Sequence, residues 1–303
     1  MTTSVSFPNR LITSAQLRLL NQRSDIKGTI QLVSHLAMIA VAAKSVVYCS
    51  QSMWLLPAVL ALAIAQIALF APMHECSHQT AFRSLWLNKA VCWATGLVLM
   101  LPPTWFNQFH TFHHRYTQNP EYDPELAIPK PQNLSQYLWL ISGIPYWRSA
   151  VQGLLTQAAG RLDGMDYCYE YTHQQVVREA RIFLGVYATI AITALVTGSP
   201  APLIYWLIPV LLGQPFLRLF LLPEHTGCEQ SNNRLANTRT ILASAPVRWL
   251  CWNMCYHAEH HLYPGVPFHA LPALHQEVHA QLQVVVDSYP AAHRDICQVA
   301  LNR

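Results

Sequence analysis

The stretch MWLLPAVLALAIAQIALFAPM (Met53–Met73), followed at once by HECSH (His74–His78), decides the architecture. The first part carries no charged side chain and matches the roughly 20 apolar residues a helix needs to cross the hydrocarbon of a bilayer. A chain that leaves such a segment and arrives at two imidazoles four residues apart puts metal-binding chemistry at the membrane surface. Three further segments read as spans: Thr29–Cys49, Ile182–Gly198 and Pro202–Leu222. Lys44 interrupts the first near one end, where a long side chain reaches the interface. Only Ser199-Pro200-Ala201 separates the last two, so they form a tight helical hairpin, with Arg218 in the closing turns of the second.

Composition supports that reading. Residues AVILMFWYC make up 52% and DEKR only 11%, against about 25% charged in an ordinary soluble domain. Apolar surface that stays apolar means lipid contact. The net charge of +4 is modest and no Lys/Arg block occurs, so nucleic acid is not an expected partner and a bilayer surface accounts for the basic excess. The eight cysteines contain no C-x-x-C pair and read as buried free thiols; Cys251 and Cys255 are taken as packing residues. The N-terminal segment mixes Arg10, Arg18, Arg23 and Lys27 with leucines, which is not a signal peptide. Thr13-x-x-Gln16 marks the start of a short amphipathic helix on the membrane.

Orientation follows from the flanks. The two short connections carry no basic residue, whereas Arg10, Arg18, Arg23 and Lys27 precede the first span. Arg83, Lys89, Arg115, Lys130, Arg148, Arg161, Arg178 and Arg181 fall between spans two and three. The positive-inside rule puts both termini and the long middle segment in the cytoplasm. Ala90–Met100 is apolar but short and ends at Pro102-Pro103, so it reads as re-entrant or surface-lying. Residues 121–180 alternate proline, charge and aromatics, as a cytoplasmic cap resting on the interface would.

Two further clusters join His74 and His78. His110-Thr-Phe-His113-His114 and His257-Ala-Glu-His260-His261 each place three imidazoles at i, i+3 and i+4, spacings that share a helix face. Imidazole suits iron, zinc and copper. Eight imidazoles exceed the needs of one metal and suit two. His225, just beyond the fourth span, is a ninth candidate.

With these residues in hand, the chain resembles the membrane fatty-acid-desaturase superfamily over roughly residues 30–280. H-x3-H, H-x2-H-H and H-x2-H-H on a four-span chain carry the resemblance, as do His257-Ala-Glu-His260-His261-Leu-Tyr-Pro264 and His110-Thr-Phe-His113-His114-Arg-Tyr. The resemblance implies a non-haem di-iron centre that activates O2 and attacks an unactivated C–H bond. It implies His74, His78, His110, His113, His114, His257, His260 and His261 as iron ligands, with His225 completing the set. In acyl-CoA desaturases an asparagine four residues before the extra histidine also serves the site. Leu221 stands there in this chain, and Asn253, four residues before His257, is the substitute candidate. Neutral nitrogen ligands leave such a centre electrophilic. Glu75, Glu224 and Glu259 are candidates to accept the second N–H of metal-bound rings.

Rival readings are weaker. His74-Glu75-Cys76-Ser77-His78 also satisfies the H-E-x-x-H pattern of zinc metalloproteases, but one zinc leaves the other two boxes unexplained. A metal transporter wants polar ligands at midplane depth, and only His35 lies inside a span. His35, His173, His269 and His293 read as structural, His275 and His279 as part of a solvated C-terminal helix, and Asp123 as turn and capping chemistry. Gln214 and Pro215 read as packing or a kink in span four.

The expectation is one all-α integral-membrane domain over residues 1–303: four transmembrane helices under a cytoplasmic helical cap that holds two irons. It is expected to be an oxidoreductase using O2 on a fatty acyl or other lipid substrate. Desaturation leads, and lipid, carotenoid or alkane hydroxylation or ketolation is the alternative. No catalytic residue beyond the metal ligands is expected. Electrons are expected from a separate ferredoxin or cytochrome b5 type protein, since neither a His-Pro-Gly-Gly motif nor a Rossmann glycine pattern appears in the chain.

Overall fold

The computed structural model describes residues 11–301; Arg10, part of the basic flank of the first span, lies outside the described residues. Helix α1 (Ser14–Leu20) opens on the expected capping box. Thr13 accepts from the Gln16 N–H, and the Gln16 side chain accepts from the Thr13 N–H. Ile12 is buried, with Leu11, Leu17 and Leu20 beside it, against the C-terminal third of the chain.

Among the described residues, four helices are long and apolar enough to cross a bilayer. They are α2 (Asp25–Tyr48), the pair α3 (Leu55–Ile67) and α4 (Phe70–Ser77), α9 (His173–Thr197), and α10 (Ile208–His225) with the π-helical turn Leu203–Leu207 before it. The chain is therefore a multi-pass membrane protein built almost entirely of helices. Hydropathy marks the cores of these helices but not their ends. The second span continues through His74 and the fourth through His225, so two site histidines sit in the last turns of spanning helices. Side chains such as Val33, Val41, Leu195 and Val196 stand outward on α2 and α9, with Leu195 82% exposed, which suits a lipid-facing surface.

The α3–α4 span is the buried centre of the bundle, flanked by α2 and α10. Close approach to α10 depends on Gly213, where a Cβ would stand 2.6 Å from the Ala63 carbonyl oxygen. Small residues at helix contacts are how membrane bundles let backbones approach. Between α3 and α4 the helix breaks. The Leu69 N–H turns to the Gln66 carbonyl, which leaves the Ala65 carbonyl without its usual donor. His35 of α2 supplies one: its Nε2–H donates to Ala65 O at 2.9 Å. This midspan histidine is structural, as its isolation in the sequence predicts.

Helix α5 (Leu85–Leu99) ends at Met100, whose φ of 60° turns the chain, and α6 (Pro103–Tyr116) departs at 97°. The apolar stretch before Pro102-Pro103 thus does not continue straight into a span. Helix α6 is pinned by Glu179 of α9, which accepts from the Thr104 N–H at 2.8 Å and the Thr104 hydroxyl at 2.6 Å. Helices α7 (Leu134–Ile141) and α8 (Ile144–Ala158) follow, separated by Gly143 at φ 74°. After α10 come α11 (Ala245–Leu250), α12 (His257–Leu262), α13 (Leu271–Val278) and α14 (Tyr289–Leu301). Strands β1 (Thr240–Ile241) and β2 (Val285–Val286) pair in parallel and tie this segment together. All eight cysteines are free thiols, as their spacing predicts.

Candidate metal centre

Four elements deliver the nine histidines. The end of α4 carries His74 and the residue after it, His78. The last two turns of α6 carry His110, His113 and His114, the last residue of α10 is His225, and α12 carries His257, His260 and His261. They gather into two groups: His74, His78, His110, His114 and His260 in one, and His113, His225, His257 and His261 in the other. Within each group the ligand atoms lie within 4.8 Å of one another. The two H-x2-H-H boxes divide in opposite senses. Box two gives its i, i+4 pair (His110, His114) to the first group and His113 to the second. Box three gives its i, i+4 pair (His257, His261) to the second and His260 to the first. Residues one apart on a helix point about 100° apart, so a doubled histidine can serve two neighbouring ions.

The Nε2 atoms converge. His78–His110, His110–His114 and His114–His260 are separated by 2.9, 2.9 and 3.0 Å. His113–His225, His225–His257 and His257–His261 are separated by 3.2, 3.1 and 3.1 Å. With a metal–nitrogen bond of about 2.1 Å, adjacent ligands at right angles are about 3.0 Å apart, and tetrahedral ones about 3.4 Å. The observed edges fall between these values or just below, the range expected of nitrogens that share a metal ion. Both ring nitrogens of His74 are buried without a hydrogen-bond partner, so either is free to face a metal.

Second partners fix the tautomers. His113 Nδ1–H donates to Asp123 Oδ1 at 2.9 Å, and His225 Nδ1–H to the Asn237 carbonyl at 3.2 Å. Thr117 spends its hydroxyl proton on the His113 carbonyl at 2.8 Å, which leaves its oxygen to accept from His261 Nδ1–H at 3.1 Å. Each of these three rings therefore turns an Nε2 lone pair inward.

Burial, the largest cause, pushes the pKa of His78 down to about 4. It also holds His110, His114, His257, His260 and His261 well below the ordinary value, helped by the neighbouring imidazoles. These rings are neutral, the form that binds metal. For His113 burial also acts downward, but the charges of Glu125 and Asp123 and the hydrogen bond to Asp123 outweigh it and raise the pKa.

Comparison with known proteins agrees with this geometry. The sequence model of the fatty acid desaturase family matches residues 52–291. The chain belongs to the fatty acid desaturase family. Two sn-1 oleoyl-lipid 12-desaturases are similar to it. The one from a Picosynechococcus species is 26% identical over 65% of this chain and 61% of its own length. The one from Arthrospira platensis is 24% identical over 65% and 60%. A beta-carotene ketolase from a Paracoccus species is 30% identical over 45% of this chain and 61% of its own length. The matches thus span about three fifths of each relative's length.

Within this family member the three glutamates differ from one another. Glu75 does not back a ring: its Oε1 accepts from the Thr80 hydroxyl at 2.6 Å and the Phe268 N–H at 2.9 Å, locking the loop before α13. Glu259 accepts from the Thr240 hydroxyl at 2.5 Å and from His275 Nδ1, so it anchors β1 and α13 under α12. His275 is therefore part-buried and structural rather than solvated, whereas His279 is exposed. Glu224 stands 3.5 Å from His257, but at Nε2, the inward nitrogen, not behind the ring. Asn253 does not share a helix with His257. It sits in a turn with φ 60°, and its amide donates to the Phe268 carbonyl at 3.1 Å.

Sequence reasoning missed Asp123, Thr117 and Asn237 as ring partners. Asp123 does cap a turn, accepting from the Glu125 N–H, but the same carboxylate also holds His113. An aspartate ten residues beyond a box histidine, in a Pro-containing turn, was the only available signal. Thr117 and Asn237 had none.

Proposed function

We propose that the nine histidines hold two iron ions and that the protein is an O2-dependent oxidase of lipid-like chains, most simply a fatty acyl desaturase. The observation that carries this reading is the convergence of nine imidazoles, eight of them buried and His78 partly so, into adjacent groups of five and four. Bound iron would supply O2 activation and hydrogen abstraction. The chain's own residues orient the ligands, keep them neutral and exclude water: every box histidine except His78 is buried, between 1% and 8% exposed. Family membership and the lipid desaturases among its relatives support a lipid substrate. The basic flanks support a cytoplasmic face for the site and both termini, where a ferredoxin or cytochrome b5 type donor would dock.

The carotene ketolase relative favours oxygen insertion into a C–H bond as the second reading. A zinc protease fits poorly, because it needs one open ion with three protein ligands and a free glutamate base, whereas Glu75 is engaged with Thr80 and Phe268. Expression in a host with a compatible reductase, followed by mass spectrometry of total lipids, tests the proposal. New double bonds are expected. Hydroxylated or ketonic products would move the reading to the alternative, and a preparation holding a single zinc would overturn it.

A further inference from the structure

We propose that Glu224 is a tenth metal ligand, a carboxylate donor that completes the four-imidazole centre. The proposal rests on the two-metal reading above. The first group offers five imidazoles and the second four. Glu224 precedes His225 in the last turn of α10 and is 6% exposed. Its Oε2 lies 3.5 Å from His257 Nε2, the nitrogen that faces the interior of the four-imidazole group, and its Oε1 has no hydrogen-bond partner.

Among the described residues, no N–H or O–H group of backbone or side chain holds this carboxylate at hydrogen-bond distance, and no arginine or lysine pairs with it. Arg218, on the same helix, is the cation whose charge reaches Glu224, but it lies over the ring of Tyr146 at 4.8 Å and makes no close ion pair with the carboxylate. A buried carboxylate without donors is strongly unfavourable unless a proton or a cation compensates it. The space the second group encloses is where a cation belongs. For a bond of about 2.1 Å the adjacent-ligand edge is about 3.0 Å, so a shift of roughly half an ångström brings Oε2 into the set. The two centres then differ: one has five neutral nitrogens, the other four nitrogens and an anionic oxygen. A carboxylate lowers the net charge of its centre and favours the higher oxidation state there.

The test compares wild type, Glu224→Gln and Glu224→Asp, purified in nanodiscs and loaded with isotopically enriched ferrous iron. Iron content, chelator competition and Mössbauer spectra are the readouts. Wild type is expected to hold two irons in two distinct environments. In Glu224→Gln, one environment should change and its iron should bind at least tenfold more weakly, while the other stays as in wild type. Glu224→Asp should recover part of the difference. The metal-free Gln variant should be at least as stable as metal-free wild type, since it loses a buried carboxyl group that no donor holds, yet iron should raise its melting temperature less. Two unchanged environments with unchanged affinity in Glu224→Gln would overturn the ligand assignment. A wild-type protein without two irons would instead overturn the reading beneath it.

Discussion

Asp123→Asn removes one carboxylate oxygen at almost constant volume, and its cost can be worked from the contacts. Asp123 is 6% exposed and holds three donors. Oδ1 takes His113 Nδ1–H at 2.9 Å and the Glu125 N–H at 3.0 Å, and Oδ2 takes the Gln118 N–H at 2.7 Å. An asparagine has one oxygen and one NH2. With the oxygen toward His113, the NH2 faces the Gln118 N–H, donor against donor. In the flipped rotamer it faces His113 Nδ1–H and forces that ring toward the wrong tautomer. Either way at least one hydrogen bond to a charged acceptor is lost, worth about 1.5–3 kcal/mol. That corresponds to roughly 10–100-fold in metal affinity, the range seen when partners behind metal-bound histidines are removed. The assay is iron-chelator competition together with thermal melting in nanodiscs. Iron in the His113 centre is expected to weaken by that factor, with the other centre within a few-fold of wild type. Equal affinity and equal melting temperature in Asp123→Asn would refute the claim that Asp123 orients His113.

Two further outcomes follow from the same structure. In the metal-free protein, His78, His110, His114, His257, His260 and His261 have pKa values below the ordinary 6.5, chiefly through burial. The unfolded chain therefore takes up protons first, and stability present above about pH 6.5 falls as pH drops toward 4. His113, shifted upward, acts in the opposite sense but is outnumbered. Melting temperatures across that range should fall, and a flat profile would contradict the shifts. Gly213→Ala should cost about 1–3 kcal/mol through overpacking against Ala63 and Ile67. Gly185→Ala, with nothing within 4 Å of the added methyl, should be neutral or slightly stabilising; equal melting temperatures for the two variants would count against close α3–α10 packing.

The sequence by itself determined the number of spans, the break before Pro102-Pro103, the capping box at Thr13 and the nine histidines. Each is a local signal: a charge-free run of membrane length, a proline pair, a pair of residues three apart, imidazoles at helical spacing. It marked where spans begin and end less well, because hydropathy stops at the first polar residue while the backbone continues its hydrogen bonds. His74 and His225 extend their helices because the rings turn into protein rather than lipid. Only the tertiary structure decided which imidazole falls in which group, since adjacent histidines such as His113 and His114 are separated by their direction around the helix. Likewise only the fold brought Asp123, Thr117 and Asn237 behind the rings, and left Asn253 in a left-handed turn away from the helix of His257. Partners of that kind are set by how α6, α10 and α12 pack against one another. Spacing along one helix carries no information about what meets it from another.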